Sequence, residues 1–347
     1  MEGNSTPIDS CFSGADFAWL TKYQPAYMWF IFIFGFLENL FVILVFLLHK
    51  KRCTIAEIYL GNMAAADLVF VSSLPFFAIS VSRGFNWPFG HFLCVAVSSL
   101  TILNLFSSIY FLMMVSIDRY LVLVKTMSVG RMRTTRWAKI VCILIWIFAG
   151  VVSIPKVIFR KAEFHKWFNT TVCYVDAPPN LDIANNFILN IVCFLIPVVV
   201  IGFCTFHIIK TLRNNTMQNF KEIKTEKKAT WLVLSVLLVF IACWLPFQIS
   251  TFIDTLNRYR LFPPCSVDVP NEVFNQISTY IGFSNSCLNP LLYVIVGNQF
   301  RKKAKAVYLQ LLGRYRGRGP SMQMDSSLNT TQTSLYLDGQ KKKKSVS

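Results

Sequence analysis

The sequence predicts an all-α membrane protein, a seven-transmembrane helix bundle with a short amphipathic eighth helix. Three observations predict it. Hydrophobic residues make up 54% of the 347 and charged residues only 15%, against roughly 25% charge in an ordinary soluble chain. The apolar residues come in long runs, and about 20 suffice to cross the hydrocarbon core. Lysine and arginine collect in alternate gaps between the runs, which marks one side of a bilayer.

The apolar segments cover roughly 25–48, 56–82, 91–124, 137–159, 182–211, 229–256 and 271–296. Each is long enough to span with some tilt. Residues 1–24 form a polar N-terminal segment with Glu2, Asp9 and Asp16, lacking the basic start and apolar stretch of a secretory signal. The first span is therefore expected to act as the insertion signal. Lys50, Lys51 and Arg52 lie after span one, Arg119, Lys125, Arg131, Arg133, Arg136 and Lys139 where span three ends and span four begins, and Lys210, Arg213, Lys221, Lys224, Lys227 and Lys228 from the end of span five onward. That bias puts these gaps and the C-terminus in the cytoplasm, the N-terminus outside, and the multi-pass chain in the plasma membrane. The net charge of +17 then reads as loop charge near anionic lipid, not as a nucleic-acid surface.

Residues 25–297 are thus the bundle. Asn298 to Leu312 reads as the amphipathic helix, with Phe300, Val307, Leu311 and Leu312 toward lipid and Arg301, Lys302, Lys303 and Lys305 toward headgroups. Residues 313–347 read as a disordered polar tail. Pro75, Pro155, Pro197, Pro246 and Pro290 interrupt five spans. Each frees a carbonyl and bends its helix.

Cys94 opens span three on the outer side and Cys173 lies in the second outer loop. That compartment is oxidising, so a bridge is expected. Cys11 and Cys265 are the other outer cysteines and either pair or stay free. Asn4 and Asn169 head outer glycosylation sequons, whereas the sequons at Asn214 and Asn329 fall inside and are expected to stay unmodified. The histidines His49, His91, His165 and His207 are scattered and suggest no metal site.

An ionisable side chain in a span costs at least about 2.5 kcal/mol on insertion scales and so has a role. Asp67 lies mid-span among alanines. Asn104 and Ser108 lie four apart on span three, and Asn285 and Asn289 four apart on span seven, so each pair shares a face. Together they would surround Asp67 either as a hydrogen-bonded network or as a pocket for a sodium ion. No other cofactor is expected. Glu38 in span one is a second intramembrane acid without an assigned role.

Asp118-Arg119-Tyr120 ends span three, Cys243-Trp244-Leu245-Pro246 lies in span six, and Asn289-Pro290-Leu291-Leu292-Tyr293 ends span seven. In this order, with Asp67 and the Cys94 and Cys173 pair, they resemble the rhodopsin-like (class A) G-protein-coupled receptors over the whole bundle. The resemblance implies that Glu226 holds Arg119 at rest and that Ile109, Pro197 and Phe240 form a core switch. Thr205 departs from the usual tyrosine, and Glu38 from a commoner glycine.

Longer strings narrow the resemblance: Glu57 to Asn62, Ser116 to Met127, Trp244 to Phe252, and Ser284 to Leu291. They look like the bradykinin receptor family, nearer the type-2 branch for intact kinin than the type-1 branch. Asp182, Asp254 and Glu272 at the outer ends of spans five to seven would attract a guanidinium on their own chemistry. The resemblance suggests that they hold a kinin's amino-terminal arginine. Arg160 would meet a peptide carboxylate. Trp87, Phe106, Tyr110, Phe247, Gln248 and Tyr280 would line an apolar pocket above Trp244. Ile102 is neutral where the type-1 branch is expected to carry a lysine that would repel a terminal arginine.

Thr101 stands where amine receptors place aspartate, and Phe283 where opsins carry the retinal lysine. The expected partners are a kinin peptide, a heterotrimeric G protein of the Gq/11 class with Gi second, receptor kinases and arrestin at Ser326, Ser327, Thr330, Thr331, Thr333 and Ser334, and membrane lipids. An angiotensin-like peptide receptor is the alternative, and a transporter a remote one. Nothing suggests an enzyme.

Overall fold

The computed structural model describes residues 18–49, 52–125, 134–165, 169–214, 220–263, 266–295 and 297–316. The helices are α1 (Ala18–Leu48), α2 (Ile55–Val71), α3 (Leu74–Ser82), α4 (Gly90–Leu123) and α5 (Thr135–Ile158). A hairpin of β1 (Arg160–His165) and β2 (Thr170–Val175) follows. Then come α6 (Pro179–Phe187), a π-helical stretch (Ile188–Leu195), α7 (Ile196–Asn214), α8 (Phe220–Arg258), α9 (Asp268–Phe283), α10 (Asn285–Ile295) and α11 (Asn298–Arg316). Among the described residues, six helical stretches are long and apolar enough to cross a bilayer. The seventh crossing, α9 with α10, is interrupted at Ser284 and carries more polar residues.

Burial follows lipid rather than water. On α5 the bundle side is Ala138, Cys142, Ile145, Ala149 and Ser153, mostly small residues that let helices approach. Its opposite face exposes Ile140, Ile143, Leu144, Ile147, Val151 and Ile154. One apolar cluster runs through all seven crossings, from Ile31 and Val42 to Phe283 and Tyr293. Trp146 on α5 donates its indole N–H to Asn62 of α2 at 3.0 Å.

The helix breaks leave backbone carbonyls without their helical donors. Pro75 sits in the first turn of α3, and the chain bends just before it. There the hydroxyls of Ser72 and Ser73 donate to the carbonyls of Leu68 and Phe70 at 2.8 and 2.6 Å. In the π-helical stretch Ile196 N–H reaches back to Ile191. The next donor would be Pro197, which has none, so the Val192 carbonyl is open. The Tyr110 hydroxyl fills it at 3.0 Å. Pro290 likewise frees the Ser286 carbonyl, which accepts Asn39 Nδ2 at 2.8 Å. At the α9–α10 break, Ser284 N–H turns to Ile281 at 3.1 Å. This leaves the Tyr280 carbonyl to the hydroxyl of Tyr27 at 3.0 Å.

The hairpin lies at one end of the bundle. It pairs antiparallel, with Ala162 opposite Cys173, and a disulfide joins Cys173 to Cys94 at the start of α4. Trp87 N–H donates to Thr171 at 2.8 Å. Asn169 takes a positive φ of 48° in the turn, a conformation asparagine tolerates. The other end is fixed by Glu57. Its Oε2 accepts the Thr54 N–H at 2.8 Å, which caps α2, and also holds Lys303 of α11 at 2.7 Å.

Two boundaries and one packing face differ from expectation. Helix begins at Ala18 rather than near 25, because Pro25 removes a single hydrogen bond and does not prevent the preceding turns. The last helix runs to Arg316 through Gly313, since one helical glycine costs only about 1 kcal/mol. Phe300, expected toward lipid, is buried, its ring packed edge-on against Phe41, Phe46 and Tyr293. Val307 is buried too, whereas Leu311 and Leu312 are exposed. Residues 1–17 and 317–347, with Asn4, Cys11 and the tail hydroxyls, lie outside the described residues, as does Cys265.

The open Val192 carbonyl gives a direct test. Tyr110→Phe removes only the hydroxyl. Thermal stability in lipid nanodiscs is expected to fall by about 0.6–1.7 kcal/mol, the range of interhelical hydrogen bonds in membranes. An unchanged melting temperature would show that the bond contributes nothing.

Candidate functional site

At the hairpin end the helices enclose a cavity of about 430 Å³. Met28, Phe77, Phe85, Trp87, Ile102, Val172, Tyr280 and Phe283 supply apolar wall. Ser98, Thr101, Gln276 and Thr279 add polar groups. Two cations, Lys156 and Arg160, line it, and no aspartate or glutamate does among the described residues. Arg160 Nε and Ser98 Oγ are buried without hydrogen-bond partners among those residues. Burial lowers the Arg160 guanidinium to about 10, so it stays charged at neutral pH. Next to it on β1, Lys161 is exposed and paired with Asp176 at 2.7 Å, which raises its pKa through that hydrogen bond. A half-open, cationic, partly apolar cleft suits a carboxylate carried on an apolar group.

The acids lie elsewhere at this end. Asp254 Oδ2 accepts Arg258 Nε and Asn186 Nδ2, each at 3.0 Å. Asp182 lies 3.5 Å from the same guanidinium. Glu272 accepts Gln276 Nε2 at 3.0 Å, and Gln276 lines the cavity.

Of the residues expected around a ligand, Trp87, Ile102, Arg160 and Tyr280 line this cavity. Phe106, Tyr110, Phe247 and Gln248 do not. Phe106 is buried against Phe148, Tyr110 caps the Val192 carbonyl, and Phe247 packs edge-on against Trp244. Gln248 is buried with both amide atoms unpartnered among the described residues. Trp244 lies beneath, against Gly282.

Mid-bundle, Asp67 is fully buried. Its Oδ1 accepts Asn104 Nδ2 at 2.8 Å, Ser286 Oγ at 2.9 Å and Ser108 Oγ at 3.2 Å, and its Oδ2 accepts Asn289 Nδ2 at 3.1 Å. Asn285 makes no bond to Asp67. Its Oδ1 and that of Asn289 are buried without partners among the described residues. Among the described residues, no group of three or more His, Cys, Asp or Glu converges to hold a metal.

Toward the α11 end, Asp118 is buried and Arg119 and Tyr120 are partly buried. The Tyr120 ring meets Phe203 and His207. Ile109 and Phe240 share the main core cluster, and Phe240 stacks on Phe194. Pro197 and Pro290 are buried. Tyr293 is buried with its hydroxyl toward Met63 Sδ at 3.9 Å. Glu226 falls on α8, but its side chain lies outside the described part. Thr205 Oγ1 is buried and unpartnered among the described residues.

Sequence reasoning missed Lys156, Arg258 and Ser286. Arg258 sits four residues after Asp254 on α8, a spacing that places helical residues together, whereas Lys156 is in the last turn of α5 and Arg160 opens β1. Ser286 was hidden because the break at Ser284 resets the helical face.

Gly282 is required by contact. A Cβ there would lie 2.7 Å from Trp244 Cζ3, a rigid ring atom in a buried side chain. Gly282→Ala is expected to cost about 1–3 kcal/mol by overpacking, read as a lower melting temperature. Full stability would show that Trp244 shifts freely.

The comparisons agree with this architecture. The family described as the seven-transmembrane receptor (rhodopsin family) matches residues 38–293. The B2 bradykinin receptor of Homo sapiens is 50% identical over 325 residues, 93% of this chain and 83% of the relative. That of Rattus norvegicus is 49% identical over 326 residues, 93% and 82%. The B1 bradykinin receptor of Macaca mulatta is 38% identical over 312 residues, 88% of each. The chain therefore belongs to the rhodopsin family of seven-transmembrane receptors, within its bradykinin receptor group, which is a family of membrane receptors and not of enzymes.

Proposed function

We propose that the chain is a receptor for an intact kinin peptide, which it receives at the hairpin end on the outer side of the plasma membrane. One observation carries this reading: cations line the cavity, and acids stand near them at the same end of the bundle. Lys156 and Arg160 line the cavity, while Asp182 and Asp254 gather on Arg258 and Glu272 bonds Gln276. A short peptide with arginine at its amino end and a free carboxylate at the other matches both charges. Its carboxylate meets Arg160 and Lys156, and its guanidinium meets the acids, each by charge-assisted hydrogen bonds. Ile102, Trp87 and Tyr280 pack its apolar side chains. The buried, unpartnered amide of Gln248 offers a further polar contact as the ligand settles above Trp244.

Binding shifts the population toward a state in which span six swings away from Arg119 at the cytoplasmic end. Trp244, Phe240, Ile109 and Pro197 transmit the change, and Asn289, Pro290 and Tyr293 complete it. The groove so formed takes a G protein of the Gq/11 class, with Gi second. Receptor kinases and arrestin then act on the tail. Asp67 with Asn104, Ser108, Ser286 and Asn289 forms a set of oxygen donors that suits a hard monovalent cation such as sodium. Such an ion would favour the resting state by holding spans two, three and seven together. The open oxygen of Asn289, beside the carboxylate, supports that fit.

Calcium release in transfected cells tests the reading. Intact kinin is expected to act more potently than the peptide lacking its last arginine. Asp254→Ala with Glu272→Ala should weaken intact kinin about ten-fold or more, the scale of charge-assisted hydrogen bonds. Silence to both peptides, or unchanged potency in the double variant, would refute it.

A further inference from the structure

Arg258 holds two carboxylates of the outer rim at once. It is the last residue of α8, one turn beyond Asp254. Its Nε donates to Asp254 Oδ2 at 3.0 Å, and its Nη2 lies 3.5 Å from Asp182 Oδ2. Asn186 from α6 donates to the same Asp254 oxygen at 3.0 Å. The guanidinium therefore ties the start of span five to the end of span six. Its side chain is 35% exposed, and those of Asp182 and Asp254 are 26% and 37% exposed. Ion pairs this open are weakly held. Opening toward solvent, Arg258 can leave without crossing the bundle, while Lys156 and Arg160 line the cavity within.

We propose that Arg258 is a built-in competitor at this rim, occupying Asp254 and Asp182 until a ligand's amino-terminal guanidinium exchanges for it. The inference rests on the kinin reading above and names a specificity-determining residue of that site. The exchange leaves no carboxylate unpaired, because one guanidinium replaces another. It also selects ligand chemistry. A planar fork can reproduce both contacts, whereas a lysine ammonium, a point charge, restores them poorly. Spans five and six stay bonded through Asn186 to Asp254 and Thr255 and through Asn190 to Thr251 whichever guanidinium is bound.

Competition binding on membranes carrying the full-length chain tests this, with intact kinin and kinin lacking its amino-terminal arginine as the two probes. Arg258→Gln should tighten intact kinin by about two- to five-fold, the range for partly exposed pairs. The truncated peptide should change less than about two-fold, since it has no guanidinium to exchange. Arg258→Lys, which keeps the charge but loses the fork, should show a smaller gain of the same sign. Binding of intact kinin to the unsubstituted chain with no selective gain in either variant overturns the competitor role alone. No kinin binding by the unsubstituted chain overturns the kinin reading, and this inference with it.

Discussion

The hydrocarbon core offers no water, so a backbone polar group freed inside the bundle is costly unless the protein supplies a partner. That constraint organises the structure at each depth. Asp67 is fully buried and accepts four side-chain donors from α4 and α10. The carbonyls freed at Val192, Ser286 and Tyr280 are each taken by a side chain from another helix: Tyr110, Asn39 and Tyr27. Helix breaks thus become interhelical bonds. The bends and these interhelical contacts arise from the same interrupted backbone bonds.

This pairing explains why the breaks can be both rigid and useful. A kink whose carbonyl is capped has a defined geometry, and the helices can rearrange only by exchanging that bond. Two of the three caps, Tyr27 and Asn39, join span one to span seven. Trp244 is pressed against Gly282, two residues before the Ser284 break. Packing and hydrogen bonding therefore meet on span seven, where Asn289 also reaches Asp67. At the opposite end, one Glu57 oxygen both caps α2 and holds Lys303. That gives α11 a fixed root.

Most of the architecture was legible because lipid demands long apolar runs and marks their ends with charge. Asp67 with Asn104, Ser108 and Asn289 could be foreseen, since intramembrane polar residues four apart share a face. Ser286 could not, because the break at Ser284 shifts the face and only three-dimensional geometry reveals it. The prolines announced freed carbonyls, but not which side chains would fill them. Tyr110 looked like pocket lining and is instead a backbone cap. Arg258 and Lys156 were visible as charges, yet pattern alone could not show that one sits on the rim acids and the other lines the cavity. Phe300 misled because an amphipathic helix has two apolar margins, and packing on α1 and α10 decides which is buried.

The most direct measurement is a double-mutant cycle on thermal stability in lipid nanodiscs, pairing Asp67→Ala with Asn289→Ala. If internal satisfaction of polar groups holds the crossings together, the two substitutions should couple by at least about 0.6 kcal/mol, as contacting groups in membranes do. Strict additivity would contradict it, showing that Asp67 and Asn289 contribute independently and that the bundle is held by apolar packing alone.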